Sequence, residues 1–318
     1  MVLSKIVASA GLRSWVSAAA ACLHLAKVCM LAAVGATLVA GCSSPERSEE
    51  LQAAAYRGTD SLDRTVVLEV QPVRLVSLAP NITEILYALG AGTRVVGVTT
   101  YCNYPPEVTG TRRVGDFSNP SLERIVTLEP DLVFLTSHEQ GPLLSKLEGL
   151  GLRAFVVYPQ TIAELQGMIG EIGALIGCED EAETLAAEIG GLWKGAAEER
   201  RPRVFLEITE DPLMTVGDDS FVGEMIRLAG GENIAHDLPR RYAVISPERV
   251  IAADPEVIIV AHPGASRETV GQRLGWGRIE AVRSGRVYDD IDPDLIMRAG
   301  PRVVQGVAAL RACISEAR

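Results

Sequence analysis

One short module occurs twice in the chain, and this repeat restricts the fold more than any other feature of the sequence. Ser121-Leu122-Glu123-Arg124-Ile125-Val126-Thr127-Leu128-Glu129-Pro130-Asp131-Leu132-Val133-Phe134-Leu135 returns as Ser246-Pro247-Glu248-Arg249-Val250-Ile251-Ala252-Ala253-Asp254-Pro255-Glu256-Val257-Ile258-Ile259-Val260. Each copy opens on a serine suited to accept a hydrogen bond from the free N–H groups of a first helical turn. Pro247 suits the first helical position because its missing N–H would be unpaired there. Each predicted helix is short, stops at Pro130 or Pro255, and leads into an apolar run that reads as a buried parallel strand. Glu123 and Glu248 take the second helical position of their copies, 125 residues apart. A carboxylate there is stabilised by the helix dipole, which is reason enough for either one alone. As a pair they predict two lobes of similar plan with matched carboxylates on equivalent surfaces, which a partner with two-fold symmetry can grip.

The rest of the chain fits two such lobes. Thr65–Val70, Arg74–Leu78 and Arg94–Val98 read as strands, with a turn at 59–63 and a helix over Ile82–Leu89 whose apolar residues share one face. Leu89-Gly90-Ala91-Gly92 and Leu228-Ala229-Gly230-Gly231 hold comparable places ahead of the two modules. After the first module come a strand over 151–158, a helix opened by the capping box Thr161-Ile162-Ala163-Glu164, and an amphipathic stretch from Asp180 to Arg201. That stretch is predicted to be one long helix between the lobes. A strand over 203–208 and a helix over 221–228 then restart the pattern. Alternation of strand and helix predicts an α/β fold: two lobes with mainly parallel sheets flanked by helices, joined by a single long rigid helix. The predicted boundaries are 56–178 for the first lobe, 179–202 for the joining helix and 203–318 for the second lobe.

The first 41 residues hold three bases and no acid, with an uncharged apolar run from Val28 to Gly41 too short to cross a bilayer in comfort. Val39-Ala40-Gly41-Cys42 resembles the bacterial lipoprotein signal, so 1–41 is predicted to be a signal peptide and Cys42 a lipidated N-terminus. Residues 42–55 form a polar tether, long enough to hold a body roughly 40 Å from a membrane. Loss of the signal takes the net charge from −11 to −14, which argues against nucleic acid as a partner. The cysteines left besides Cys42 are Cys102, Cys178 and Cys313; one disulfide among them or three buried thiols both fit.

Catalytic and metal motifs are missing from the sequence. The histidines after the signal are His138, His236 and His262, with no zinc-type spacing, and no GxSxG elbow, P-loop or GxGxxG stands between a strand and a helix. His138 follows the strand of the first module, where it is placed to line a crevice. Tyr101, Phe117, Met214 and Tyr242 are predicted in loops after strands or beside the modules. Core packing accounts for any one of them; together they suggest a clamp for a large, partly apolar ligand.

Five stretches in order carry a family resemblance: Arg74 to Glu84, Tyr101-Cys102-Asn103-Tyr104-Pro105-Pro106, Asn119 to Glu123, Leu228 to Ile234, and Asp292-Pro293-Asp294 through Arg298-Ala299-Gly300-Pro301-Arg302. In these the chain resembles the substrate-binding proteins of ABC importers. The branch is the helical-hinge type that includes periplasmic vitamin B12-binding proteins and ferric-siderophore binders. The resemblance implies a non-enzymatic, monomeric protein, lipid-anchored outside the cytoplasm of a bacterium, which delivers its ligand to a permease dimer and its ATPase subunits. Glu123 and Glu248 match the glutamates that dock onto permease arginines. Tyr101 matches a corrinoid-contacting tyrosine, Phe117 and Tyr242 stand at tryptophan positions of the B12 binders, and Met214 at a phenylalanine position. Asp294, Leu295, Ile296, Met297 and Arg298 match a ligand-contacting loop, while Thr136 departs from the pattern by replacing a pocket tryptophan. Aromatic residues favour cobalamin or another corrinoid as bound ligand, with no separate cofactor; a ferric siderophore or haem is the alternative, for which Arg240 and Arg241 are the nearest basic residues.

Overall fold

The computed structural model describes residues 56–136, 140–193 and 201–315. The predicted signal, the Cys42 anchor, the tether and His138 lie outside the described residues.

The described chain opens with a hairpin, β1 (Tyr56–Thr59) antiparallel to β2 (Thr65–Leu68). In its turn the Asp60 carboxylate accepts the N–H groups of Leu62 and Arg64. The first lobe is built on β3 (Leu75–Ser77), β4 (Val95–Val98), β5 (Arg112–Arg113), β6 (Leu132–Leu135) and β7 (Ala154–Val156). All are parallel, in the order β5-β4-β3-β6-β7. Helices α1 (Pro80–Ala88), α2 (Leu122–Thr127) and α3 (Gly141–Gly149) connect them. The strand order reverses between β3 and β6, which makes the carboxyl ends of these two strands the natural rim of a crevice.

Helix α4 (Ile162–Ile176) follows, then α5 (Glu179–Gly190) and a 3-10 turn, Gly191–Trp193. The predicted helix over 180–201 therefore ends earlier than its apolar stripe suggests. The glycine pair 190–191 lowers helix propensity there, and residues 194–200 lie outside the described residues. Helix α4 is tied to both lobes. Its first N–H, from Ile162, donates to Glu224 of the second lobe at 2.8 Å. Its last carbonyl, on Ile176, accepts from Gln71 at 3.0 Å and Arg94 at 2.8 Å in the first lobe. Helix α5 packs back against it at Gly173, where an added Cβ would stand 2.4 Å from that of Ala182.

The second lobe comprises β8 (Arg203–Glu210), β9 (Leu213–Val216), α6 (Phe221–Leu228), β10 (Glu232–Asn233), β11 (Tyr242–Val244), α7 (Pro247–Ala253) and β12 (Val257–Val260). It continues with α8 (Arg267–Gln272), α9 (Glu280–Arg283), β13 (Val287–Tyr288), α10 (Pro293–Met297) and α11 (Val303–Ser315). Strands run β11-β9-β8-β12-β13, with β10 beside the start of β8. Strands β8, β10, β12 and β13 are parallel, whereas β9 and β11 are antiparallel extensions. Met214 and Tyr242, predicted in loops, are thus on β9 and β11. Likewise, 294–298 is mostly the short helix α10, capped by the Asp292 carboxylate, which accepts from the Asp294 N–H.

Both modules form as predicted. Ser121 and Ser246 each accept from the N–H three residues on, and the strands β6 and β12 are buried throughout. Leu132 and Phe134 face a core cluster that also holds Val257 and Ile259, so one apolar core runs through both lobes. Val133 and Leu135 pack under one outer layer, and Ile258 and Val260 under the other. Burial on both faces explains why these strands read as unbroken apolar runs.

Candidate functional site

Between the lobes lies a cleft of about 260 Å³. Its first wall is built at the strand-order reversal. Pro80 and Asn81 follow β3, Thr136 follows β6, and Phe117 comes from the loop ahead of α2. Buried Gln140 fixes this wall. Its Oε1 accepts the Thr136 N–H at 3.0 Å, and its Nε2 donates to the carbonyls of Leu78 and Phe117, both at 2.8 Å. Tyr158 and Gln160, after β7, complete the first-lobe side, and Phe221, Arg241, Tyr242, Met297 and Arg298 form the opposite one. A second groove of about 750 Å³ shares Tyr158, Gln160, Arg241 and Tyr242, so the space continues past these four residues.

The cleft's lining is aromatic and mostly neutral. Arg298 lines it, yet its guanidinium is already engaged: Nη1 donates to Glu84 at 2.9 Å and Asn103 at 2.8 Å, and Nη2 pairs with Asp294 at 2.8 Å. Glu84 is also gripped by Arg302, through Nε and Nη2 at 2.8 Å each. This network joins α1 of the first lobe to the α10–α11 corner of the second. Arg302 also stacks over the ring of Tyr104 at 4.2 Å, and Asn81 donates to the Ala299 carbonyl at 3.1 Å. Arg241 donates through Nε to the carbonyl of Asp219 at 2.8 Å. Tyr242 is 41% exposed, but the walls around it remove enough water from the phenol to raise its pKa. Neighbouring Tyr158 adds to the rise, and Arg241 opposes it.

Of the residues singled out in the sequence, Phe117, Thr136, Tyr242, Met297 and Arg298 meet in the cleft. Tyr101 does not line it and is 61% exposed; its loop instead sends Asn103 to Asp294 and Arg298. Met214 pairs with Val244 across β9 and β11, away from the lining. Ile296 is a correction: it is fully buried in the shared core, because α10 turns that face inward, and it offers no side-chain surface to a ligand. Asp294 and Leu295 do not line the cleft, and Asp294 acts on it through Arg298. Sequence reasoning missed Asn81, Tyr158, Gln160 and Phe221. Position at a strand's carboxyl end was the available signal for Tyr158. Glu123 and Glu248 are exposed, each on the second residue of its helix, and neither carboxylate has a partner among the described residues. Cys102, Cys178 and Cys313 form no disulfide among the described residues, and the Thr83 hydroxyl holds Cys102 at 3.1 Å. No helix among the described residues is long and apolar enough to cross a membrane.

Comparison with known proteins agrees with this architecture. Residues 75–294 match the family model described as periplasmic binding protein. An uncharacterized ABC transporter substrate-binding lipoprotein, YvrC of Bacillus subtilis, is 33% identical over 297 residues, covering 87% of this chain and 93% of that one. The periplasmic vitamin B12-binding protein BtuF of Vibrio cholerae superposes with a TM-score of 0.66 at 27% identity, covering 77% of this chain and 98% of its own. The periplasmic heme-binding protein RhuT of Roseiflexus sp. superposes with a TM-score of 0.69 at 29% identity, with coverages of 77% and 98%. With its two α/β lobes, doubled module and cleft at the strand-order reversal, the chain belongs to the periplasmic binding protein family, the substrate-binding proteins that serve ABC importers.

Proposed function

We propose that this protein captures cobalamin or a related corrinoid between its lobes and delivers it to the permease of an ABC importer, catalysing no reaction. In this reading residues 1–41 are a signal peptide, a lipid on Cys42 and the 42–55 tether hold the body outside the cytoplasm, and the lobes are 56–178 and 203–318, joined by 179–202. The monomer docks on the permease through Glu123 and Glu248.

One observation carries the ligand assignment: of the two arginines that line the cleft, one is fully committed to protein groups and the other in part. Arg298 is spent on Glu84, Asn103 and Asp294, and Arg241 is partly spent on the Asp219 carbonyl. A polyanionic chelate needs a cluster of free guanidinium groups. A corrinoid needs broad apolar faces and neutral hydrogen-bonding groups for its amides. Phe117, Tyr158, Phe221 and Tyr242 supply the first, and Asn81, Thr136 and Gln160 the second. The vitamin B12 binder of Vibrio cholerae supports the same assignment.

A ferric porphyrin is the second reading, favoured by the phenols of Tyr158 and Tyr242 beside Arg241 and by the likeness to a heme-binding protein. Iron ligation requires a phenolate, and the raised pKa of Tyr242 works against one. Calorimetric titration of the body beginning after Cys42 with cyanocobalamin, a ferric hydroxamate siderophore and haemin separates these readings. Tight one-to-one binding of cyanocobalamin alone is expected. Binding of an iron compound alone would overturn the corrinoid assignment and leave the transport role standing.

A further inference from the structure

Around Glu123 the first lobe carries a cationic groove that the second lobe does not match. Arg112, Arg113 and Arg124 line, with Glu123, Thr127 and Leu128, a depression of about 350 Å³. Three arginines and one glutamate thus line the depression, in a chain whose net charge is −11. Arg113 is occupied, since its Nη1 donates to the carbonyls of Thr99 at 2.9 Å and Cys102 at 2.7 Å. Arg124 touches the Arg113 carbonyl at 3.5 Å through one nitrogen and leaves the rest of its fork to solvent. Arg112 is exposed, and neither it nor Arg124 pairs with a carboxylate among the described residues.

The repeat makes the comparison direct. Arg124 follows Glu123 just as Arg249 follows Glu248. On the second lobe Arg249 is closed by an ion pair with Asp237, so that face presents Glu248 beside a neutralised arginine. On the first lobe the corresponding arginine remains open, and Arg112 adds a second one. Free guanidinium forks at a surface recognise carboxylates, and in a strongly acidic protein such a groove marks the place where an acidic partner group gains rather than loses energy.

We infer that this groove is a second docking element, in which Arg112 and Arg124 receive an acidic side chain of the importer's permease while Glu123 receives a basic one. The inference rests on the docking role proposed above for Glu123 and Glu248. A two-fold permease meets two unlike faces, a mixed-charge face with open arginines on the first lobe and Glu248 beside an ion-paired arginine on the second, so its two halves are engaged unequally. Charge arrangements of this kind chiefly set orientation and encounter rate.

The test uses the full-length protein, made in the producing bacterium lacking its own copy, with a photo-crosslinking residue in place of exposed Val126 beside the groove. Permease captured on illumination is identified by mass and its yield compared among variants of equal abundance. Arg112→Glu with Arg124→Glu is expected to cut the yield at least ten-fold, and Arg112→Lys with Arg124→Lys to retain most of it. Arg112→Gln with Arg124→Gln serves if the reversed charges lower abundance, and is also expected to reduce capture. Unchanged capture in the Glu and Gln variants overturns the inference. Glu123→Ala with Glu248→Ala keeps the two levels apart. If it abolishes capture while the arginine variants do not, the groove fails and the docking reading stands; if it too leaves capture unchanged, the docking reading falls with it.

Discussion

Glu84 is the carboxylate on which the two lobes converge. It is buried on α1, and both of its oxygens are taken by Arg302 and Arg298, more than two hundred residues further along the chain. Its hydrogen bonds are the main reason the Arg302 pKa is raised, with burial opposing. A raised arginine pKa favours the charged form in the folded protein, so this stabilisation is fully present below the unfolded pKa and does not vary across the working range of pH. Removing the carboxylate leaves two mostly buried cations with only Asp294 and the more distant Asp292 as acidic partners, and Glu84→Ala is expected to cost up to about 3–5 kcal/mol in urea unfolding near neutral pH. A loss below about 1 kcal/mol, as at a surface ion pair, would show that the network is solvated rather than buried. Nothing in the sequence marked this contact, because local periodicity does not report a pairing across such a separation. The same blindness placed Arg298 among ligand contacts by family resemblance without revealing that its charge is spent. It also passed over Gln140, whose amide fixes Thr136 and Phe117 through three hydrogen bonds.

The duplicated helix–turn–strand unit agrees in details finer than its sequence pattern. Arg74 donates to the carbonyls of Leu128 and Glu129 at the end of α2, and Arg203 to those of Ala253 and Asp254 at the end of α7. Each arginine neutralises the negative end of its module helix. Glu129 and Asp254 then take positive φ values of 46° and 45° before the prolines. A non-glycine residue pays about 1–2 kcal/mol in that region. The Glu129 carboxylate has no partner among the described residues, so Glu129→Gly is expected to stabilise by about 0.5–1 kcal/mol once the greater freedom of unfolded glycine is subtracted. Asp254 differs, because its Oδ1 accepts the Glu280 N–H at 2.8 Å. Asp254→Gly loses that bond, about 1 kcal/mol, and should give no net gain. Urea midpoints for the two variants check the contrast, and equal shifts would refute it. Elements of this kind were legible because caps, prolines and unbroken apolar runs coincide. Strands β1, β9 and β11 were not: they are four, four and three residues long, with β1 and β11 partly exposed at sheet edges and β9 mostly buried between β11 and β8, so neither length nor alternation distinguishes them from loops. The helix over 180–201 was over-extended because an apolar stripe outlasts the helix at Gly190, where backbone freedom rather than side-chain pattern decides the end.

Taken whole, the molecule has two large sheets that share one core and are tied together at two separated places. One is the Glu84 network beside the cleft, and the other is α4, whose ends are bonded to Glu224 in the second lobe and to Gln71 and Arg94 in the first. A hinge that opens widely would have to break buried charge pairs at the first tie or shear a packed helix at the second. The lobes are therefore expected to close little on a ligand, with a change in radius of gyration below about 1 Å, the scale of motion in pre-organised complexes. X-ray scattering of the protein alone and saturated with cyanocobalamin measures this, and a larger contraction would show that neither tie limits the hinge. Glu84→Ala releases the first tie while leaving α4 intact, so it should enlarge the change; if it does not, α4 alone sets the amplitude. Small closure also bears on docking. With the lobes held, the span between Glu123 and Glu248 stays nearly constant whether the cleft is filled or empty, and a permease that grips both glutamates meets the same pair of contacts in either state. Discrimination between loaded and empty protein would then have to come from surfaces at the cleft, which Tyr242 and Met297 line while remaining exposed.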